Sequence, residues 1–306
     1  IIRLSTIINK CDKNFDHILV HTGQNYDYEL NQIFFEDLNI RKPDFFLETA
    51  EENVGRSIGN IITYSYELFQ KITPDALLVL GDTNSSLCVL SAKRLKIPIF
   101  HMEAGNRCFD QNVPEEINRK IADHISDINL CYTEKSLKYL ISEGVRKDHV
   151  FSIGSPLLEV LVTFDKKIKE SKILDILELN PKKYIVASLH REENLDLNDN
   201  FLNLVEILGE VVKKYNLPIF FSTHPRTRKK IEELNISKSD EIHFIKPIGF
   251  TDYIALQKNA FITLSDSGTI FEESAMVSFP AISLRSSTER PEASENGTIV
   301  IGNINK

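Results

Sequence analysis

The residues with the clearest chemical potential in this sequence are carboxylates that follow short apolar runs. Asp82 follows "ALLVLG", Glu103 follows "IPIFHM", and Glu115 is the first acid of "PEEINR". Carboxylates in such positions can act as general acids and bases. Each has a structural alternative, since Asp82 could cap a helix and Glu103 could be structural. Glu115 could stabilise a helix N-terminus or pair with Arg119, four residues later.

A second group of residues could bind phosphate. The stretch "FITLSDSGTIFEES" (261–274) reads as a buried strand, a polar turn and a helix. A helix N-terminus exposes unpaired N–H groups and a partial positive charge, so Ser267, Gly268 and Thr269 could bind a phosphate there. Gly268 would allow a close approach of the backbone, and Glu273 could accept hydrogen bonds from ribose hydroxyls. A plain strand-to-helix connection is the alternative.

Two more polar clusters lie in the second half of the chain. His190 opens "HREEN" after the apolar run "YIVAS", and Arg290 lies in "TERPE". A lone histidine is usually structural, but this one begins an unusually polar strand end. Carboxylates dominate the first half, whereas histidine, arginine and hydroxyls dominate the second. This division suits acid–base chemistry on a substrate with an anionic leaving group.

The elements that must position these residues are short apolar strands alternating with longer amphipathic helices. Continuous Val, Ile, Leu and Phe runs predict parallel sheets that are covered on both faces. Two such series, joined near residues 154–182, predict an α/β protein with two doubly wound domains. Ligands of such sheets bind at the carboxyl ends of the strands, where these polar residues fall. A cleft between the domains could enclose a nucleotide-linked substrate.

Composition excludes several other classes of protein. The net charge of −8 over 306 residues argues against a general nucleic-acid binder. No apolar run approaches the roughly 20 residues that a membrane span needs. The four cysteines form no CxxC pair and have no zinc-ligand spacing, which favours a cytosolic protein with reduced thiols. No metal cluster and no GxGxxG fingerprint is visible, so we predict no cofactor.

Taken in order, "GDTNS", "HMEAGNR", "PEEINR", "HREEN", "SDSGT" with "EES", and "TERPE" form a specific set. With these motifs the chain closely resembles the non-hydrolysing UDP-N-acetylglucosamine 2-epimerase family over nearly its whole length. The resemblance implies two Rossmann-like domains in a GT-B arrangement with an interdomain cleft. Residues 1–155 would carry the catalytic carboxylates, and residues 156–306 would bind UDP. The variant "HMEAGNRCFDQNVPEEINR" is more similar to a subgroup that forms UDP-N-acetyl-L-fucosamine.

The resemblance also implies roles for individual residues. Asp82, Glu103 and Glu115 match the family's acidic catalytic residues, and His190 matches its diphosphate-contacting histidine. Tyr253 falls where many members have an aromatic ring beside uracil, and Thr269 stands where most members have glycine. The implied substrate-binding residues are Arg3, Tyr253, Ser267, Gly268, Thr269, Glu273 and Arg290.

The activity implied by the resemblance is epimerisation at C2 of a UDP-N-acetylhexosamine, by loss and re-addition of UDP through a glucal-type intermediate. Such an enzyme would be a cytoplasmic homodimer, need no cofactor and serve bacterial surface polysaccharide synthesis. A GT-B glycosyltransferase and a hydrolysing epimerase are alternatives. The family has a first strand with a "GTRPE" turn and a C-terminal helical tail, and both lie outside this sequence. A non-catalytic UDP-sugar-binding protein is therefore a further alternative.

Overall fold

A computed structural model describes residues 1–23, 32–189, 198–223, 225–234, 241–284 and 299–302. The chain forms two compact units. Unit 1 comprises residues 3–27 and 39–156 together with Ile1, and unit 2 comprises residues 28–38 and 157–306 together with Ile2. The predicted boundary between residues 155 and 156 lies one residue from the division at Pro156.

Unit 1 is built on two parallel sheets. Its larger sheet has four strands in the order β3-β4-β5-β6. A smaller sheet pairs β1 with β2. The strands of unit 1 are β1 (Val20–His21), β2 (Phe45–Phe46), β3 (Leu77–Leu80), β4 (Ile99–Met102), β5 (Ile128–Cys131) and β6 (Val150–Ser152).

Helices connect these strands and cover them. The longest, α3, begins after Asn53, whose side chain accepts a hydrogen bond from the Arg56 N–H at 3.2 Å. It buries Ile61 and Phe69 against the sheet. The helix α5 begins with proline and two acids, as the sequence predicts. The α-helices of unit 1 are α1 (Ser5–Asn14), α3 (Val54–Ile72), α4 (Val89–Arg94), α5 (Pro114–Ile125) and α6 (Glu134–Ser142).

Unit 2 contains one parallel sheet of six described strands in the order β12-β11-β10-β7-β8-β9. Ile185, Val186 and Ala187 on β7 are all fully buried, because helices cover both faces of this central strand. The strands are β7 (Ile185–Ser188), β8 (Ile219–Ser222), β9 (Ile242–Ile245), β10 (Ile262–Ser265), β11 (Ala281–Leu284) and β12 (Val300–Gly302). The helices after residue 156 are α7 (Leu157–Thr163), α8 (Asp165–Lys169), α9 (Ile173–Ile176), α10 (Asn198–Tyr215), α11 (Pro225–Glu233), α12 (Phe250–Asn259) and α13 (Ile270–Val277).

One helix from the first half of the sequence belongs to unit 2. This is α2 (Gln32–Asp37), and its last residue caps α12. The Asp37 carboxylate accepts hydrogen bonds from the Thr251 N–H at 2.8 Å and the Thr251 hydroxyl at 2.7 Å. Lys167 adds an ion pair to the same carboxylate at 2.6 Å. A capping carboxylate at a helix N-terminus is favourable for both the hydrogen bonds and the helix dipole.

The predicted fold class is confirmed. Every described strand pair is parallel, and helices alternate with strands in both halves of the chain. The stretch 261–274 folds as predicted, with β10, a polar turn and α13 in succession.

Gly105, just after β4, tests how closely the backbone packs at this position. Its φ is +78°, and a Cβ there would lie 2.4 Å from the Ser136 carbonyl oxygen. Gly144 also has a positive φ, of +94°, but open space around it. We expect Gly105→Ala to lower the free energy of unfolding clearly more than Gly144→Ala, whose cost is about 1 kcal/mol from conformation alone. Urea unfolding of both variants measures the difference, and equal losses would contradict the close packing at Gly105.

Candidate active site

Asp82 lies in the turn that leaves β3, and two neighbouring groups hold it. Its carboxylate receives the Arg119 Nε–H at 3.1 Å and a second guanidinium N–H at 2.5 Å. Its carbonyl oxygen accepts a hydrogen bond from the Asn118 amide at 3.0 Å. The preceding Gly81 has a φ of +75°, which glycine adopts without strain. The side chain and the backbone of Asp82 are therefore both anchored to α5.

Arg119 also pairs with Glu116, whereas the sequence suggested a pair between Arg119 and Glu115. The two side chains lie 2.5 Å apart within one turn of α5. Glu116 is fully buried and also accepts a hydrogen bond from the Cys108 backbone N–H at 3.1 Å. Glu115, the preceding residue of α5, is exposed. The buried carboxylate is thus the one with the guanidinium partner, as burial of a charge requires.

Glu103 follows β4 and is paired with Arg3. The Arg3 guanidinium donates to the Glu103 carboxylate at 2.5 Å and lies 5.6 Å from the centre of the Tyr132 ring. Glu103 itself has a φ of +65°, in the left-handed region that is uncommon for a side chain other than glycine. Such strained positions cluster at functional sites. Arg3 and Glu103, both predicted site residues, are brought together.

The carboxylates of Asp82 and Glu103 belong to the same edge of the sheet. They follow β3 and β4, which pair in register with Leu80 opposite Met102. A Cβ added at Gly81 would lie 3.4 Å from a carboxylate oxygen of Glu103. The predicted grouping of these two acids at the carboxyl ends of neighbouring strands is therefore observed. The catalytic role of Glu115, on the first turn of α5, stays a prediction.

In unit 2 the predicted phosphate turn lies between β10 and α13. The hydroxyls of Ser267 and Thr269 are 2.9 Å apart and hydrogen-bonded. The Thr269 N–H also donates to the Ser267 hydroxyl at 3.3 Å. Ser267, Gly268 and Thr269 are all partly accessible. Two hydroxyls at the start of an eight-residue helix with two acids in its first turn form a compact polar surface.

A buried polar group lies next to this turn. Gln257 donates to the Glu273 carboxylate at 3.2 Å. Burial together with the Glu273 charge raises the pKa of the Tyr253 hydroxyl. The charge of Glu273 therefore acts on Tyr253, and these two residues were predicted from different motifs.

The two remaining predicted residues, His190 and Arg290, lie outside the described residues. Their proposed contacts with the diphosphate and the substrate stay predictions.

The sequence analysis did not identify the residues that hold Asp82 and Glu103 in place. Arg119 was considered only as a partner of Glu115, and Asn106 was not considered at all. Asn106 accepts a hydrogen bond from the buried Ser136 hydroxyl at 2.9 Å, and its amide lies 3.5 Å from Glu103. The spacing of Glu116 and Arg119, three apart on a helix, was a signal that could have been read.

Within the part of the chain that the structure describes, no group of three or more His, Cys, Asp or Glu residues is arranged to hold a metal ion. The same residues include no helix with the length and apolar content needed to cross a membrane.

Fold and site together define an α/β protein with paired carboxylates at one sheet edge and a polar turn suited to phosphate at another. Residues 9–306 match the family model for UDP-N-acetylglucosamine 2-epimerase. The chain belongs to this family.

Solved structures and curated relatives agree with this membership. The chain is 50% identical to a UDP-N-acetylglucosamine 2-epimerase from Rickettsia bellii, with a TM-score of 0.90 over 99% of this chain and 81% of that one. A Methanocaldococcus jannaschii UDP-GlcNAc 2-epimerase in complex with UDP-GlcNAc and UDP is 35% identical, with a TM-score of 0.94 over 99% and 86%. A Pseudomonas aeruginosa UDP-2,3-diacetamido-2,3-dideoxy-D-glucuronate 2-epimerase is 33% identical over 94% of this chain and 80% of the relative.

Replacement of Arg119 tests whether this side chain neutralises the buried Glu116. Arg119→Met would leave the fully buried Glu116 carboxylate with only the more distant Lys120 ammonium, at 3.6 Å, and should cost about 3 kcal/mol of unfolding free energy. Arg146→Met is the matched control, because Arg146 pairs with Asp148 on the surface. Urea unfolding should show a large loss for the first variant and no measurable change for the second. Similar stabilities of both variants would contradict the pairing.

Proposed function

We propose that this chain catalyses epimerisation at C2 of a UDP-N-acetylhexosamine, as a step in bacterial surface polysaccharide synthesis. The observation that carries the proposal is the placement of Asp82 and Glu103. They follow neighbouring parallel strands, and each is held by an arginine. Membership of the 2-epimerase family supplies the class of substrate.

The reaction needs a proton to leave C2 on one face of the sugar and another to arrive on the opposite face. As a base takes the C2 proton, the C–H electron pair forms a C1–C2 double bond, and the C1–O bond breaks with its pair on UDP. Reversal of these steps, with protonation from the other face, gives the epimer. No oxidant or reductant is consumed. General acid–base groups contribute about 10²–10⁴-fold each to such a step.

Unit 1 would supply the acid–base groups. Asp82 and Glu103 are the described carboxylates at the sheet edge, and Glu115 is the third candidate. An arginine beside each of the first two stabilises a negative charge and fixes its direction. The proposal assigns proton exchange at C2 to this set and leaves open which acid serves which face.

Unit 2 would bind the UDP portion. The Ser267–Thr269 turn offers two hydroxyls and the N-terminus of α13 to the diphosphate. Glu273 and Tyr253 would contact ribose and uracil, as the resemblance implies. His190 and Arg290 would add positive charge for the leaving diphosphate.

The identity of the sugar in the UDP-sugar substrate is a separate part of the proposal. Relatives of this chain differ in substrate, as the name of the Pseudomonas aeruginosa protein shows. The segment "HMEAGNRCFDQNVPEEINR" is the reason to expect a 6-deoxy UDP-N-acetylhexosamine. The same resemblance implies a cytoplasmic homodimer, which light scattering would test.

Incubation in heavy water tests the reaction. With UDP-N-acetylglucosamine or a 6-deoxy relative, wild-type chain should place deuterium at C2 of both epimers, as followed by NMR. Asp82→Asn and Glu103→Gln should each slow this exchange at least about 10²-fold, because a general acid or base is removed. Asp148→Asn is the control, since it is also arginine-paired but lies on the surface.

Two results would contradict the proposal. One is unchanged exchange in both Asp82→Asn and Glu103→Gln. The other is the absence of deuterium at C2 with every UDP-N-acetylhexosamine tried. Release of free sugar in place of a new UDP-sugar would identify a hydrolysing enzyme.

UDP binding tests the assignment of unit 2. Glu273→Gln removes the charge that would accept from ribose hydroxyls, so calorimetry should show UDP binding weakened roughly 10-fold or more. Glu272→Gln, on the neighbouring position of α13, is the matched control and should bind UDP normally. Equal affinity of the two variants would argue against Glu273 as a ribose-binding residue.

A further inference from the structure

His101 lies in the middle of the unit 1 sheet, on β4, and is fully buried. Its Nε2 is 2.9 Å from the Gly81 carbonyl oxygen, and its Nδ1 is 2.9 Å from a carboxylate oxygen of Asp123. A carbonyl oxygen only accepts hydrogen bonds. A neutral imidazole carries one N–H, so it cannot donate to both of these oxygens.

The surroundings of Asp123 decide where the proton lies. Asp123 is fully buried on α5, and its carboxylate receives the Gly105 N–H at 3.2 Å and an Arg107 N–H at 2.6 Å. Arg107 is fixed in turn by Glu143, with two contacts of 2.8 and 2.6 Å. A guanidinium at this distance stabilises the ionised carboxylate. The proton therefore belongs on the histidine, which makes His101 an imidazolium.

We propose that His101 is a positioning residue for the epimerase reaction: as a doubly protonated imidazolium it locks the Gly81 carbonyl and thereby fixes the turn that presents Asp82. The inference rests on the proposed function, because Asp82 is the group being positioned.

The turn needs such an anchor. Gly81 has a φ of +75° and no side chain; its N–H donates to the Met102 carbonyl at 3.0 Å, and its own carbonyl is the group that His101 holds. Asn118 and Arg119 hold Asp82 itself, by its carbonyl and its carboxylate. His101 holds the peptide just before it. A displacement of about 1 Å at a reacting group can cost about 10²-fold in rate.

The charges around His101 favour the protonated form. Burial alone would lower the pKa of His101, but the Asp123 hydrogen bond and charge, the Gly81 carbonyl and the Asp82 charge raise it above its ordinary value. Arg107 is the opposing positive charge and is itself neutralised by Asp123 and Glu143. Because the pKa of His101 is raised in the folded state, its protonated form stabilises the fold. This stabilisation is complete below the unfolded-state pKa of about 6.5 and is lost as the pH rises through the folded-state pKa.

Nitrogen NMR of the histidine-labelled wild-type chain tests the protonation state directly. Both ring nitrogens of His101 should carry a proton, each with a one-bond N–H splitting, at pH values above the ordinary imidazole pKa of about 6.5. A bare Nδ1 or a bare Nε2 at about pH 7 would overturn the inference, since either would mean a neutral ring. Comparison with the His101→Gln spectrum assigns the signal.

Kinetics test the positioning role. His101→Gln should lower kcat about 10²-fold with KM nearly unchanged, because the defect is at Asp82 and not in UDP binding. In an Asp82→Glu background, where the carboxylate is already displaced, the same change should cost only a few-fold. His17→Asn is the control, because His17 pairs with Asp12 near the surface and should leave kcat unchanged.

The outcomes separate this inference from the proposed function. A wild-type chain without C2 epimerase activity would contradict the proposed function. An active wild-type chain in which His101→Gln costs the same factor in both backgrounds would contradict the positioning role alone.

Discussion

The structure of unit 1 depends on one constraint, which is that charges removed from water at the end of a sheet must be paired. The Asp123 carboxylate forms ion pairs with His101 and Arg107. The Arg119 guanidinium pairs with Asp82 and Glu116, and Arg3 pairs with Glu103. These pairs link strand ends to α5 and to the N-terminal segment. The geometry of the two acids is therefore fixed by electrostatics as much as by the sheet that carries them.

Under the proposed function, this arrangement lets the carboxylates of unit 1 act on a weakly acidic C–H bond. Proton exchange at one carbon needs carboxylates in fixed positions, because the reaction rate falls steeply when a reacting group is displaced. An arginine fork restricts a carboxylate to one direction, whereas a lysine would not. Unit 2 carries different groups, with hydrogen-bonded hydroxyls on Ser267 and Thr269 and a buried hydrogen bond between Gln257 and Glu273. The groups proposed for acid–base chemistry and those proposed for phosphate binding thus belong to separate sheets.

Much of this could be predicted from sequence, for physical reasons. Apolar runs alternating with helical periods identify covered parallel strands, and the polar residue after each run falls at the sheet edge, which is how Asp82, Glu103 and Ser267 were found. The partners could not be predicted in the same way. Which of Glu115 and Glu116 is buried depends on how α5 is rotated against the sheet, and the assignment of α2 to unit 2 depends on the Asp37 cap. Both are tertiary contacts that no local pattern encodes.

The most direct measurement of the central claim is a crystal structure of the chain with a bound UDP-N-acetylhexosamine. We expect C2 of the sugar to lie within reach of the Asp82 or Glu103 carboxylate, at about 3 Å or through a single water. We also expect these carboxylates to keep their Arg119 and Arg3 partners. A sugar whose C2 faces neither acid would contradict the account, whatever the position of the uridine.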